Sequence, residues 1–425
     1  MATLTNLLPA RRTKLLGPAP TCAPRPSPED AGPVQIGPLA AFAIVATALL
    51  WFVGAEYGAQ KATLLGFGLG LGLALFHSRF GFTSAWRQLV AVGNGAGLRA
   101  HALLLGTTAT LSALVIGTST GLFGSSPVPS GAPIGLGLIL GSFIFGIGMQ
   151  IGGACASGTL FAVGSGQAGI LLTLVGFILG SLLYAWQFDL VDNLPSFAPI
   201  VMADHIGWLG SWIATITVLA LIVWGSRTWQ ARRNPPPTAA VATSRGVARI
   251  VRGSWPMLVG AVVLAVLATG ILLVSGGTWG VTSAFGLWGA KALQALGLHP
   301  EAWAYWQQPV QAAQLQAPIL ADKTSLTNIG IIVGAALAAT AAGTYSLRQR
   351  VPIRTATAAL LGGVLLGVGA RLSNGCNIGA YLGGISTGSL SGWIWGLTAL
   401  AGTWVGLKLR PMFGLGTPKP NDSVC

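Results

Sequence analysis

The chain alternates between long apolar stretches and short polar ones, and the apolar stretches are too long for the elements of a soluble core. Windows such as Gly207 to Gly225, Ser254 to Ser275 and Leu326 to Ser346 are free of charged residues. Each exceeds the roughly 18 apolar positions that a bilayer-spanning helix requires. The same patterning places spanning segments near residues 37–55, 62–78, 100–122, 133–152, 167–187, 207–225, 254–275, 326–347, 356–373 and 389–407. Four shorter apolar stretches, 80–96, 155–165, 280–294 and 376–386, are too brief to cross and are expected to be re-entrant half-helices. The predicted fold is an all-α polytopic membrane protein with about ten crossings.

Composition sharpens this reading. Of 425 residues, 52% are hydrophobic and 8% charged, where a soluble protein carries roughly 25% charged residues. Glycine, at 62 residues, recurs inside the apolar windows, where it lets helices approach closely or break. The net charge of +14 marks topology and calls for no nucleic acid. With the N-terminus in the cytoplasm, 19 of the 23 basic residues fall in inside segments, while Glu56, Asp189, Asp192, Asp204, Glu301 and Asp322 fall outside. This is the positive-inside pattern, and it leaves both termini cytoplasmic.

The expected organisation is a basic, Pro-rich, disordered tail (1–36), a first transmembrane repeat (37–225), a basic Pro-rich linker (226–253), a second repeat (254–410) and a cytoplasmic tail (411–425). The N-terminal segment lacks the continuous apolar region of a cleaved secretory signal.

Each half carries the same two signatures. Gly81-Phe-Thr83-Ser84-Ala-Trp86 pairs with Gly280-Val-Thr282-Ser283-Ala-Phe285, and Gly146-Ile-Gly148 through Cys155 to Gly158 pairs with Gly367-Val-Gly369 through Cys376 to Gly379. The charge pattern puts Thr83 and Cys155 toward the cytoplasm and Thr282 and Cys376 toward the outside. The repeats are therefore inverted, an architecture in which broken helices meet near the midplane and build a solute site.

The chemistry of that site follows from its residues. Cys22 lies in the Pro-rich tail and Cys425 at the other end, and neither belongs to a metal or disulfide pattern. Cys155 is followed by Ser157 and Gly158, and Cys376 by Asn377 and Gly379. Backbone N–H groups at a half-helix N-terminus attract anions, and a neutral thiol offers a weak donor and a polarizable sulfur suited to a soft, sulfur-containing anion. Arg371, five residues before Cys376, is a costly charge near membrane depth and a candidate to draw an anion to the outer mouth; the same offset from Cys155 holds Gln150. No histidine joins acids in a metal or catalytic constellation, and no cofactor, metal or nucleotide motif is expected. Two other classes stay open: a membrane thiol-disulfide exchanger using Cys155 and Cys376, and a structural subunit.

Gly-Ala-Cys155-Ala-Ser-Gly-Thr-Leu, Arg371-Leu-Ser-Asn-Gly-Cys376-Asn-Ile-Gly-Ala and Gly-Ser-Leu-Ser-Gly-Trp393 resemble the YeeE/YedE family of inner-membrane sulfur-transport proteins over residues 37–410. The resemblance implies uptake of thiosulfate or a related sulfur species, passed between cysteine thiols, in a protein embedded in lipid. It also implies a cytoplasmic TusA-like sulfur-carrier partner. Family members commonly carry a Phe-Cys pair in the first signature, where this chain has Phe80-Gly81. Thr83 and Ser84 are the hydroxyls placed to substitute for that thiol.

Overall fold

The computed structural model describes residues 32–233, 235, 246, 248–347 and 351–418. Cys22, Cys425, most of the expected N-terminal tail, much of the expected linker and the last residues of the C-terminal tail lie outside the described residues. Almost all of the described chain is helical. In the first half run α1 (Ile36–Tyr57), α2 (Ala59–Ser78), α3 (Phe82–Val92), α4 (Ala96–Gly117), α5 (Leu136–Gly152), α6 (Ala156–Gly164), α7 (Ala168–Trp186), α8 (Phe188–Val191) and α9 (Ala203–Arg233). The remainder comprises α10 (Ala248–Arg252), α11 (Met257–Ser275), α12 (Ser283–Ala295), α13 (Ala304–Gln307), α14 (Pro309–Gln316), α15 (Lys323–Ala341), α16 (Ile353–Leu372), a π-helical segment (Asn377–Gly383), α17 (Gly384–Ser386) and α18 (Leu390–Leu409). A two-residue antiparallel pair, Ile134 with Phe197, ties the start of α5 to the loop before α9.

Among the described residues, nine helical stretches are long and apolar enough to cross a membrane. The segment expected as a tenth crossing forms α18, a 20-residue helix whose glycines and tryptophans dilute its apolar character, and it is not among the nine. The short stretches predicted not to cross are short helices: α3, α6, α12 and the π-helical segment with α17. The expected linker starts too early, since α9 continues to Arg233. Residues 32–35, assigned to a disordered tail, are tied down: the Gln35 side chain donates to the Tyr345 carbonyl at 3.0 Å and Arg252 donates to the Gly32 carbonyl at 2.7 Å.

Lipid offers no hydrophobic drive for helices to associate, so close backbone approach has to supply the packing. In α15, 83% of the most apolar window is buried, against 11% in α1 and 17% in α9; α15 is central and the other two are peripheral. Gly68 and Gly330 face each other across the α2–α15 contact, and Gly176 and Gly363 across α7–α16. A Cβ at Gly68 would lie 2.9 Å from the Thr327 Cα, so only glycine permits that approach.

The packing is reciprocal. As α2 packs on α15, α11 packs on α4; as α7 packs on α16, α18 packs on α5; as α12 packs on α7, α3 packs on α18. Likewise α6 lies against α15 as α17 lies against α4, and α1 against α15 as α9 against α4. The exchange differs at two joins: Gly58 alone connects α1 to α2, whereas residues 234–256, with α10, separate α9 from α11. Three residues connect α3 to α4, whereas residues 296–322 separate α12 from α15 and carry α13 and α14.

Candidate functional site

Each cysteine sits where a long helix stops and a short one begins. After α5, Gly153 takes a left-handed turn (φ 86°) and Cys155 becomes the extended cap of α6. After α16, Asn374 (φ 57°) and Gly375 (φ 152°) reverse the chain, and Cys376 caps the π-helical segment. A side chain at Gly375 would be strained in that conformation, and its Cβ would stand 2.8 Å from the Ala380 nitrogen. The sequence thus forces a turn that delivers each sulfur to the positive end of a short helix.

Both cysteines are free and buried. The Cys155 sulfur is 3.6 Å from the Ser157 hydroxyl, and the backbone amides of Gly158 and Phe82 face it. A Cβ at Gly158 would come within 3.3 Å of that sulfur, so the glycine keeps it uncovered. The Cys376 sulfur accepts from the Ile378 amide at 3.5 Å, with the Gly379 amide also facing it. The segments carrying the two cysteines pack on one another.

Asn377, the residue after Cys376, is 0% exposed, and neither its oxygen nor its nitrogen has a hydrogen-bond partner. Thr83 is also buried with an unpartnered hydroxyl, while its carbonyl accepts from the Gln150 amide at 3.3 Å. Ser84 differs: its hydroxyl donates to the Gly81 carbonyl at 3.1 Å. Of the two hydroxyls expected to serve a solute, the one on Ser84 is occupied by its own backbone.

Four other expected residues, Thr282, Ser283, Arg371 and Gly379, line a single cavity of about 560 Å³. The Arg371 guanidinium stands 4.8 Å from the Tyr305 ring centroid and 5.9 Å from that of Tyr184, with its Nε buried and unpartnered. Among the described residues no carboxylate pairs with it. An added Cβ at Gly379 would meet nothing within 4 Å, so this glycine opens onto the cavity.

Several residues of the site were not singled out from the sequence. Gln150, fully buried, accepts from Arg87 at 3.0 Å through its side chain and from Arg410 through its carbonyl. His101 in α4 is 1% exposed, turns its ring onto the Gly81 carbonyl and lies 4.3 Å from the Phe82 ring centroid. Asn328 in α15 donates to the Val281 carbonyl at 2.8 Å. Between the two Thr-Ser-Ala segments runs an unbroken aromatic series, Phe82, Tyr381, Trp86, Trp395, Phe145, Phe177 and Phe285, with neighbouring centroids 4.8 to 6.3 Å apart.

Known proteins resemble the chain over most of this architecture. A family model described as sulphur transport matches residues 77–405. A thiosulfate transporter, TsuA, of Spirochaeta thermophila is 25% identical over 79% of this chain and 95% of its own length. TsuA of Escherichia coli is 25% identical over 79% of this chain and 90% of its own length. A probable transporter, YedE, of Escherichia coli is 34% identical, over 38% of this chain and 41% of its own length. The matched region contains both Thr-Ser-Ala segments, both cysteine caps and the Arg371 cavity, and the chain belongs to the sulphur transport family.

Proposed function

We propose that this protein imports a small sulfur-containing anion such as thiosulfate across the bacterial inner membrane, along a central path marked by Cys376 and Cys155. The observation that carries the reading is the set of buried polar atoms without partners: the Asn377 amide, the Thr83 hydroxyl and the Arg371 Nε. Buried polar groups are ordinarily satisfied, and these lie beside the two cysteine caps and the Arg371 cavity, where a passing anion and its water would complete them. Both thiols stand at helix starts, so an anion near either sulfur meets backbone N–H groups and a favourable dipole. Serial weak contacts suit a solute that has to leave as readily as it arrives.

The reciprocal packing supports an inverted repeat. It also favours a division in which α9 opens the second repeat, as the counterpart of α1. The short helices then serve as re-entrant elements, the Arg371 cavity as the outer mouth and the Gln150 region as the inner side. The charge pattern supports both termini in the cytoplasm, where a TusA-like carrier would take the delivered sulfur. The free state of both cysteines gives the disulfide-exchange alternative no support.

Growth on thiosulfate as sole sulfur source tests the reading. A host lacking other thiosulfate uptake is expected to grow with the wild-type gene and to fail with Cys376→Ala at equal membrane abundance. Equal growth with and without the gene would overturn it.

A further inference from the structure

The half-to-half exchange also breaks at residues 296–322, and this added segment contributes Tyr305, Gln308, Gln311 and Gln314 to the wall of the cavity that Arg371 lines. Gln311 and Gln314 stand three positions apart on α14 and share one helix face, and the exposed Gln308 caps the start of that helix from extended backbone. The Gln314 amide donates to Asp322 at 2.8 Å, which fixes the position of α14 over the cavity. Gln308 and Gln311 have no side-chain partner among the described residues and remain available.

The cavity also contains Asp192. Its carboxylate is exposed at the rim and is screened by water and salt, whereas the Arg371 Nε is buried. One cation and one carboxylate leave the lining without a charge excess to gather anions indiscriminately. Discrimination therefore falls to directed donors. Amide N–H groups are hard donors matched to oxygen, whereas the Cys376 thiol, buried behind the cavity-lining Gly379 whose amide faces it, is matched to sulfur.

We propose that the 296–322 segment makes the outer cavity an oxyanion antechamber, in which Gln308 and Gln311 bind the oxygen end of a tetrahedral sulfur oxyanion. Arg371 supplies the charge, and the sulfur end points at Cys376. The ligand class is an anion with several sulfur-bound oxygens, and its orientation is oxygen outward, sulfur inward. This rests on the anion-transport reading and adds the residues that read the oxygens.

The test is equilibrium binding of thiosulfate and, separately, sulfate to the purified full-length protein in detergent, by calorimetry. The Gln308→Ala/Gln311→Ala variant should bind both anions at least about tenfold more weakly, as expected for the loss of two hydrogen bonds to a charged group. Gln316→Ala, at the exposed end of the same helix and outside the cavity lining, should stay near wild type. Cys376→Ser should weaken thiosulfate alone, because sulfate presents no exposed sulfur. Unchanged binding in the double variant, or a wild-type protein that binds thiosulfate and not sulfate, would overturn the proposal. If the double variant loses affinity as stated while wild-type protein in vesicles moves no thiosulfate, the antechamber stands and the transport reading falls.

Discussion

His101 and Asn328 brace the two Thr-Ser-Ala segments from equivalent positions. Each lies five residues past the first residue of its helix, Ala96 in α4 and Lys323 in α15; His101 turns onto the Gly81 carbonyl, and Asn328 donates to the Val281 carbonyl. A buried polar side chain in an apolar helix is expensive unless it holds something. Here Asn328 holds the backbone ahead of α12 by a hydrogen bond, and His101 faces the backbone that starts α3 and packs on the Phe82 ring.

Asn328→Leu removes the donor to a buried carbonyl, and we expect it to destabilise the protein by about 1–3 kcal/mol. A fall of several degrees in melting temperature in detergent checks this. An unchanged melting curve would mean that the Val281 carbonyl needs no brace.

Gly375 and Gly379 separate folding from passage. Gly375→Ala places a side chain at φ 152° against Ala380, at a cost of about 1–3 kcal/mol, and should lower the melting temperature. Gly379→Ala adds a Cβ that meets no neighbour within 4 Å and should leave melting unchanged while reducing thiosulfate uptake, because it narrows the cavity that Gly379 lines. Reversed outcomes would reassign both glycines.

Arg371→Gln should raise the half-saturating thiosulfate concentration at least tenfold, in line with about 1.5–3 kcal/mol for a hydrogen bond to a charged group. Arg371→Lys should recover it in part, because lysine keeps the charge and loses the planar stacking on Tyr305. Equal kinetics in all three proteins would show that Arg371 serves only packing.

Gly81→Cys introduces the thiol that the family resemblance leads one to expect at this position. The Gly81 backbone is extended (φ −137°), and an added Cβ would meet chiefly the Ser84 hydroxyl at 2.9 Å, which rotates aside at little cost. The variant should melt within about 2 °C of wild type, as a surface-like change does, and retain uptake. Loss of the folded protein would show that glycine is required there.

The spanning helices were legible in the sequence because bilayer thickness imposes a length that few other structures need, and the predicted segment ends fall within a few residues of α2, α5, α7, α16 and α18. The cysteine turns were legible because Gly-Gly-Ala-Cys and Asn-Gly-Cys combine chain reversal with a cap. Residues 296–322 were not, since their alanines and glutamines give no apolar period and their prolines interrupt each helix. The bond from the Ser84 hydroxyl to the Gly81 carbonyl was not legible, because neighbouring hydroxyls look alike until the backbone claims one. The Arg87–Gln150–Arg410 cluster joins residues remote in sequence, where spacing carries no signal. His101 and Asn328 did leave one: a polar residue five positions past the first residue of α4 and of α15.

The central claim is tested most directly by flux of ³⁵S-labelled thiosulfate into vesicles containing the purified protein, comparing wild type with Cys155→Ala and Cys376→Ala at matched melting temperature and orientation. The account predicts saturable uptake in wild type and a loss of at least about tenfold in each variant, the scale of about 1.4 kcal/mol in the path. Uptake undiminished in both variants, or absent in wild type, would contradict it.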